Sequence, residues 1–372
     1  MKFIPISKPS ITQKEIDYVT DAVKSGWVSS FGKYLEEFED VFAHFCNTGY
    51  ALTVMNGTCA LHLALAVYDI KEGDEVIVPD LTFIATANAV RYAGANVVIV
   101  DIERDTLCID PDKIERAITK NTKAIIPVHL YGHPANMVEI MSIAKKHNIV
   151  VIEDAAEAHG AEVNGIKVGS IGDCGVFSFY GNKIITTGEG GMITTNDKDF
   201  YEKAIYLRDH AMSKSKRYWH TQIGYNYRMT NLQAALGVVQ LERINEFLAK
   251  RKLVFELYKK YMSSSLNIRL NQTSQWAKNV YWMICIEIEG YNEIQRDALI
   301  IKLKEKGIDS RPYFYPVSDM PMYAKANTTD TPVTPVTHEI YCKGINLPTY
   351  FDITEDEIKY ICQILMEILG NV

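Results

Sequence analysis

Six short β-rich runs in the first two-thirds of the chain are mostly apolar, and helix-like segments separate most of them. They span residues 51–55, 75–78, 97–101, 124–128, 149–154 and 175–179. Runs such as VVIVD and IVVIED do not alternate in polarity, so neither of their faces is built for water. A strand apolar on both faces needs cover on both sides. The pattern therefore predicts an α/β layered body around a mostly parallel sheet. The intervening segments 60–67, 111–118 and 138–146 read as helices, and Asp110-Pro111 is a start signal, a capping acid before a Pro at the first helical position. In such a fold, polar residues at the carboxyl ends of the strands line the ligand crevice.

Past Thr230 the texture changes. Residues 232–261 read as one long helix or two joined ones, 280–288 as a strand and 295–306 as a helix ended by Gly307. Residues 320–337, rich in Pro and Thr, read as irregular loop, and Thr354 with Glu357 opens a last helix as a capping box. We expect an N-terminal arm and helix at 1–30, a large domain at 31–240 and a smaller α+β domain at 241–372. About two domains suits 372 residues.

Composition excludes several classes. With 47% hydrophobic and 23% charged residues, wholesale disorder is out. A net charge of −7 gives no general field for nucleic acid or an anionic membrane, so neither is expected as a partner. No run approaches the ~20 apolar residues that span a bilayer, and the N-terminus lacks a signal-peptide core. The seven cysteines are scattered without a CxxC pair, which argues against a disulfide framework and against zinc; no metal site is expected. These features predict a reduced, cytoplasmic protein.

Four segments stand out. In FSFYGNKIITTGEGG (177–191) a strand runs through aromatics and a turn to one lysine, Lys183, and then a Gly-rich loop. It reads either as a hairpin turn with a solvated Lys or as a Schiff-base lysine in a semi-buried pocket. The GxxxxGK[ST] order of a P-loop is missing. In IVVIEDAAEAHG (149–160) a strand delivers Glu153 and Asp154, which point to opposite faces, so at most one faces the crevice. Asp154 is either the cap of the following turn or a carboxylate held under a cationic ring nitrogen. His159 is either a packing residue or part of a site. NGTCALHL (56–63) is a strand-to-helix turn whose free N–H groups suit a phosphate, with Ser178 at hand to add a hydroxyl. GYNYRMT (224–230) on its own passes for an aromatic-rich loop.

Together with PSITQKE, GWVSSFGKYLEEFE, GDEVIVPDLTFIATANAV, HLYGHP, RPYFYP and GINLP, these segments resemble, end to end, the DegT/DnrJ/EryC1/StrS sugar aminotransferases. The resemblance implies the aspartate-aminotransferase-like fold (fold type I) and the cofactor pyridoxal 5′-phosphate (PLP). By motif position it implies that Lys183 forms the internal aldimine with PLP and shuttles the proton. Asp154 pairs with the pyridine nitrogen, Phe83 stacks on one ring face and Glu157 lies near the ring hydroxyl. Gly57, Thr58 and Ser178 hold the phosphate, joined by Asn226 from a second subunit, so a homodimer with a shared active site is implied. Ping-pong transfer follows, from an amino donor, commonly L-glutamate in the family, to a phosphorylated keto acceptor. A related sugar 3-dehydratase has His at the Lys183 position, so this lysine points to transamination.

Arg217-Tyr218-Trp219-His220 before GYNYRMTN is most similar to the branch that aminates a GDP-linked 4-keto-6-deoxy sugar. One departure stands against that branch. Where it reads YP-x-H, this chain reads Tyr315-Pro316-Val317-Ser318, with Asp319 beside. Ser318 marks either drift in a loop or a changed acceptor, such as the smaller ketone dihydroxyacetone phosphate. A non-catalytic member that keeps the fold is a further alternative. Ser29, Trp219 and Arg311 are the candidate substrate contacts.

Overall fold

A computed structural model describes residues 3–263, 267–324 and 334–370. Nine strands precede residue 200: β1 (Tyr50–Val54), β2 (Glu75–Pro79), β3 (Asn96–Val100), β4 (Thr122–Ile125), β5 (Val150–Asp154), β6 (Glu162–Val163), β7 (Ile166–Lys167), β8 (Cys174–Ser178) and β9 (Gly191–Thr195). Seven of them form one sheet in the order β1-β9-β8-β5-β4-β2-β3. From β3 across to β8 every pairing is parallel. The six expected runs all sit in this sheet, with ends shifted by at most three residues.

Both faces of the sheet are buried, as the apolar runs require. Ile77, Ile125, Val151 and Phe177 enter one apolar cluster, while Val76, Val78, Ala124, Ile152 and Val176 from the same strands enter another. The sequence reading missed β9. Its segment GMITT follows the Gly-rich loop and pairs antiparallel with both β8 and β1. It is buried throughout, but five residues carry too little periodicity to stand out beside a loop signal.

The helix expected at 60–67 starts earlier, at Gly57–Val67, capped by Asn56 Oδ1, which accepts from Cys59 N at 2.8 Å. Helices Ala85–Tyr92 and Lys198–Arg208 were not foreseen. The stretch read as one long or two joined helices is two, Asn231–Glu242 and Ile244–Met262.

A second sheet comprises β10 (Ile268–Leu270), β12 (Ile284–Ile288), β13 (Arg311–Pro312) and β14 (Gly344–Leu347), antiparallel in the order β10-β12-β14-β13; β11 (Ala277–Lys278) instead joins β6 and β7. The capping boxes at Asn292 and Thr354 start its two flanking helices, Glu293–Glu305 and Glu355–Leu369. The N-terminal segment runs along this sheet: Ile4 N donates to Gly307 O, and Thr349 N donates to Ile6 O.

The loop expected at 320–337 needs correction. Pro335–Tyr341 is a helix. Its start is fixed by Asp101, just past β3, whose carboxylate accepts from Val336 N and Thr337 N at 2.9 Å each. A cap supplied from so far along the chain leaves no local signal. Residues 325–333 of that expected loop lie outside the described residues. Among the described residues no helix is long and apolar enough to cross a membrane.

Candidate active site

The carboxyl ends of β5 and β8 lie side by side, and each delivers one of the singled-out residues. At the end of β5, Glu153 and Asp154 do point to opposite faces. Glu153 is fully buried and accepts from Gly169 N, Ile171 N and Gly172 N, with His129 Nε2 at 3.0 Å. It anchors the 169–172 turn and is not available to a ligand. Asp154 faces the other way. Its Oδ2 accepts from Thr86 Oγ1 at 2.8 Å and its Oδ1 from Ala156 N at 3.2 Å. The Ala156 bond bears out the cap reading, and the second oxygen is tied to Thr86. Burial pushes the Asp154 carboxyl above its usual range, opposed by the Thr86 hydroxyl, the Ala156 N–H and the charge of Lys183.

Lys183 follows a turn closed by its own N–H to Tyr180 O at 2.9 Å. Its side chain is 12% exposed, so the solvated-turn reading fails. The ammonium lies 3.3 Å from Glu157 Oε1 and 4.1 Å from the centre of the Trp282 ring. Glu157 accepts a second bond from Tyr131 N at 3.0 Å. Burial raises the Glu157 carboxyl, and the positive charge of Lys183 opposes that shift. An amine held between a carboxylate and an aromatic face, in a place with little water, has the setting a carbonyl-capturing lysine needs.

Across the crevice, the helix Gly57–Val67 presents its free N–H groups beside Ser178. A Cβ on Gly57 would stand 3.1 Å from Ser178 Cβ, and one on Gly191 only 2.6 Å from the Asn56 carbonyl carbon. The two glycines let β8, β9 and the helix start converge into a small cradle that a methyl group would fill. Such a cradle of free N–H groups, with the hydroxyls of Thr58 and Ser178, fits a phosphate. Phe83 is 56% exposed and backed by Phe314, with ring centres 5.8 Å apart, so it offers a flat apolar wall. The residues present thus fit a phosphorylated, cationic aromatic ring.

The remaining candidates are not gathered here. Asn226 is exposed, and its carboxamide has no hydrogen-bond partner among the described residues. Its loop is nonetheless tied to the cradle's base, since Met55 N donates to Tyr227 O at 2.8 Å. Ser29, Trp219 and Arg311 are all exposed. Trp219 carries Lys216 over its ring, and the Arg311 guanidinium has no ion-pair partner among the described residues. Ser318 is buried and turned onto Asp80, which accepts from its N–H at 2.7 Å and from its hydroxyl at 2.8 Å. That supports drift in a loop and not an acceptor contact. His159 is enclosed by Phe177 and Phe179 and held down to about 3 by burial, so it is a neutral packing residue. Sequence reasoning missed Thr86, Tyr131 and Trp282. Thr86 and Tyr131 carried a signal, standing in TFIATANAV and HLYGHP; Trp282 did not. Among the described residues no group of three His, Cys, Asp or Glu side chains could hold a metal ion.

The model of the DegT/DnrJ/EryC1/StrS aminotransferase family matches residues 9–366. The chain belongs to this family. It is therefore an aminotransferase, and the family's cofactor is PLP. The GDP-perosamine synthase of Escherichia coli O157:H7 is 44% identical over 371 residues, the full length of both chains. That of Caulobacter vibrioides is 45% identical over 367 residues, 98% of each. Among solved structures, Spr1654 from Streptococcus pneumoniae, described in PLP and PMP forms, superposes with a TM-score of 0.93 at 30% identity, covering 99% of each chain. The family's fold and the mixed sheet found here agree.

Proposed function

We propose that this enzyme moves an amino group from an amino acid, L-glutamate by the family's habit, to the 4-keto carbon of a GDP-linked 6-deoxyhexose. The observation that carries the reading is end-to-end similarity to two GDP-perosamine synthases at 44% and 45% identity. The Lys183–Glu157 pair supports the chemistry, and the burial of Ser318 removes the main reason to doubt the acceptor. A smaller phosphorylated ketone such as dihydroxyacetone phosphate is not favoured, nor is a non-catalytic role.

When bound, PLP supplies an electrophilic carbon and a ring able to take up negative charge. Lys183 Nζ is the amine that would hold that carbon and, when released, the base that would carry a proton from the donor's α carbon to the cofactor's carbon. The Glu157 carboxylate, 3.3 Å away, orients that amine and would be the residue to meet the ring hydroxyl. Asp154, held by Thr86 and Ala156, keeps the ring nitrogen protonated. Phe83 would supply the wall for one ring face. Gly57, Thr58 and Ser178 hold the phosphate through N–H groups and hydroxyls.

Asn226 completes the phosphate site of a second chain. The exposed side chains Trp219 and Ile223, in the segment leading to Asn226, are consistent with a homodimer built this way. On this reading 1–30 is an arm and helix, 31–240 the PLP-binding domain and 241–372 the small domain. Ser29, Trp219 and Arg311 line the way in for the sugar nucleotide. Seven free thiols fit a reducing cytoplasm.

The test is direct. Enzyme, PLP and L-glutamate are incubated with GDP-4-keto-6-deoxymannose or with dihydroxyacetone phosphate, and products are identified by mass. An aminated GDP-sugar supports the reading, and turnover of the small ketone alone overturns it.

A further inference from the structure

Among the described residues two groups hold the Lys183 ammonium at close range, and only one of them, Glu157, has been given a role. The second is Trp282, which comes from the segment leading into β12 and is 3% exposed. Its ring face lies 4.1 Å from Lys183 Nζ, while its Nε1–H donates to the carbonyl of Asn182, the residue before the lysine, at 2.8 Å. One side chain thus holds both the backbone and the amine of the lysine turn. Its own carbonyl accepts from Nη1 of the buried Arg251 at 2.6 Å.

Tyr131 links the two neighbours. Its N–H donates to Glu157 Oε2 at 3.0 Å, and its ring lies near-parallel to Trp282, with centres 6.3 Å apart. The join is built at the expense of backbone strain. Tyr131 and Tyr281 both adopt left-handed angles (φ 53° and 49°), and Gly132 (φ 103°) would bring a Cβ to 2.7 Å from Trp282 N. Val280 N donates to Gly132 O, which closes the two turns on each other. Strained, mutually pinned turns persist where surrounding structure over-determines them, and they concentrate at functional sites. Lys183, Glu157, Tyr131 and Trp282 form a closed ring of contacts.

We propose that Trp282 is a positioning residue for Lys183. Its ring face is the second group, after the Glu157 carboxylate, that holds the ammonium, and Tyr131 fixes the distance between the two. A desolvated cation over an indole face is a substantial attraction, and phenylalanine keeps part of it whereas leucine keeps none. The inference rests on the assignment of Lys183 as the PLP-binding lysine.

The test compares wild type, Trp282→Phe and Trp282→Leu as full-length enzyme with and without PLP, by competitive acetylation with acetic anhydride and mass-spectrometric mapping. The reference is the exposed Lys198. Without PLP, Lys183 in Trp282→Leu should acetylate roughly tenfold faster than in wild type, and in Trp282→Phe by less than about threefold. Equal rates in the two variants, fast or slow, or the reverse order overturn the proposal. If Trp282→Leu does not fold, tryptophan emission decides: Lys183→Met should alter it in wild type and not in Trp282→Phe. An unaltered wild-type emission overturns the proposal. Loading with PLP should protect Lys183 from acetylation in every variant. Failure of that protection sinks the assignment of Lys183 itself, whereas protection with equal rates sinks only the role of Trp282.

Discussion

Thr86 Oγ1 donates to Asp154 Oδ2 at 2.8 Å, and this one bond ties the last residue of β5 to the helix that follows Phe83. It joins the carboxylate expected under the PLP nitrogen to the wall expected over its ring. Thr86 is itself buried. Burial pushes the Asp154 carboxyl up and the Thr86 hydroxyl opposes that. Thr86→Val removes the opposition, so Asp154 loses its charge at a higher pH than before. The acid limb of the kcat profile should move to higher pH, with kcat down roughly tenfold at neutral pH, the size of one charged hydrogen bond. Steady-state rates across pH test it.

Lys183 and Glu157 should be coupled in stability as well as in catalysis. Lys183→Ala abolishes turnover and leaves Glu157 a buried carboxylate without its cation, at a cost of about 2–3 kcal/mol. Adding Glu157→Gln removes the unpaired charge and should recover about half of that loss while activity stays absent. Urea unfolding of the two single variants and the double variant measures the coupling.

Gly57 and Gly191 should separate binding from folding. A methyl on Gly57 meets Ser178, with Cβ at 3.1 Å and Cα and Oγ at an ordinary 3.6 Å, whereas one on Gly191 meets Asn56 and Gly57 backbone within 2.9 Å. Gly57→Ala should weaken PLP binding roughly tenfold or more and leave melting nearly unchanged, because it fills the cradle. Gly191→Ala should destabilise by about 2 kcal/mol or more, because backbone cannot give way. PLP titration and thermal melts distinguish them.

Glu15 gives a pH test of the fold away from the site. Burial raises its carboxyl, but hydrogen bonds from Thr12, Arg243 and Gln240 outweigh that and hold it at about 2, below its ordinary 4.5. A carboxyl lowered on folding adds stability above the unfolded value, and that stability is lost as pH falls from about 4.5 towards 2. Glu15→Gln should cost about 2 kcal/mol at pH 7 and flatten stability across that interval. Chemical unfolding at several pH values checks it.

Ser318→Ala should act on the fold and not on the acceptor. The hydroxyl donates to buried Asp80, a carboxylate that also accepts from Thr334 and so fastens the start of helix Pro335–Tyr341 to β2. A loss of about 1–2 kcal/mol is expected, with KM for the sugar nucleotide unchanged. A large rise in KM alone would show that Ser318 reads the acceptor after all.

What the sequence made legible follows physical range. The sheet was readable because a strand buried on both faces must be apolar at every position. Asp154 was readable because a charged residue ending such a strand has to face something. The helix at Pro335–Tyr341 was not, since its cap is Asp101, and neither was β9, whose partners lie more than a hundred residues apart. Trp282 was invisible for the same reason, and Tyr131 stood in HLYGHP with no sign of what it would touch. An aromatic residue in an apolar run is ordinary until the fold sets it 4.1 Å from an ammonium. Local patterns record what a residue needs from its neighbours in sequence, and the lysine's second support comes from the far end of the chain.

Borohydride reduction of the PLP-loaded enzyme, followed by proteolysis and mass spectrometry, locates the lysine that carries the cofactor. Attachment to Lys183 alone is the predicted result. Cofactor fixed to any other lysine, or held without a covalent bond, would contradict it.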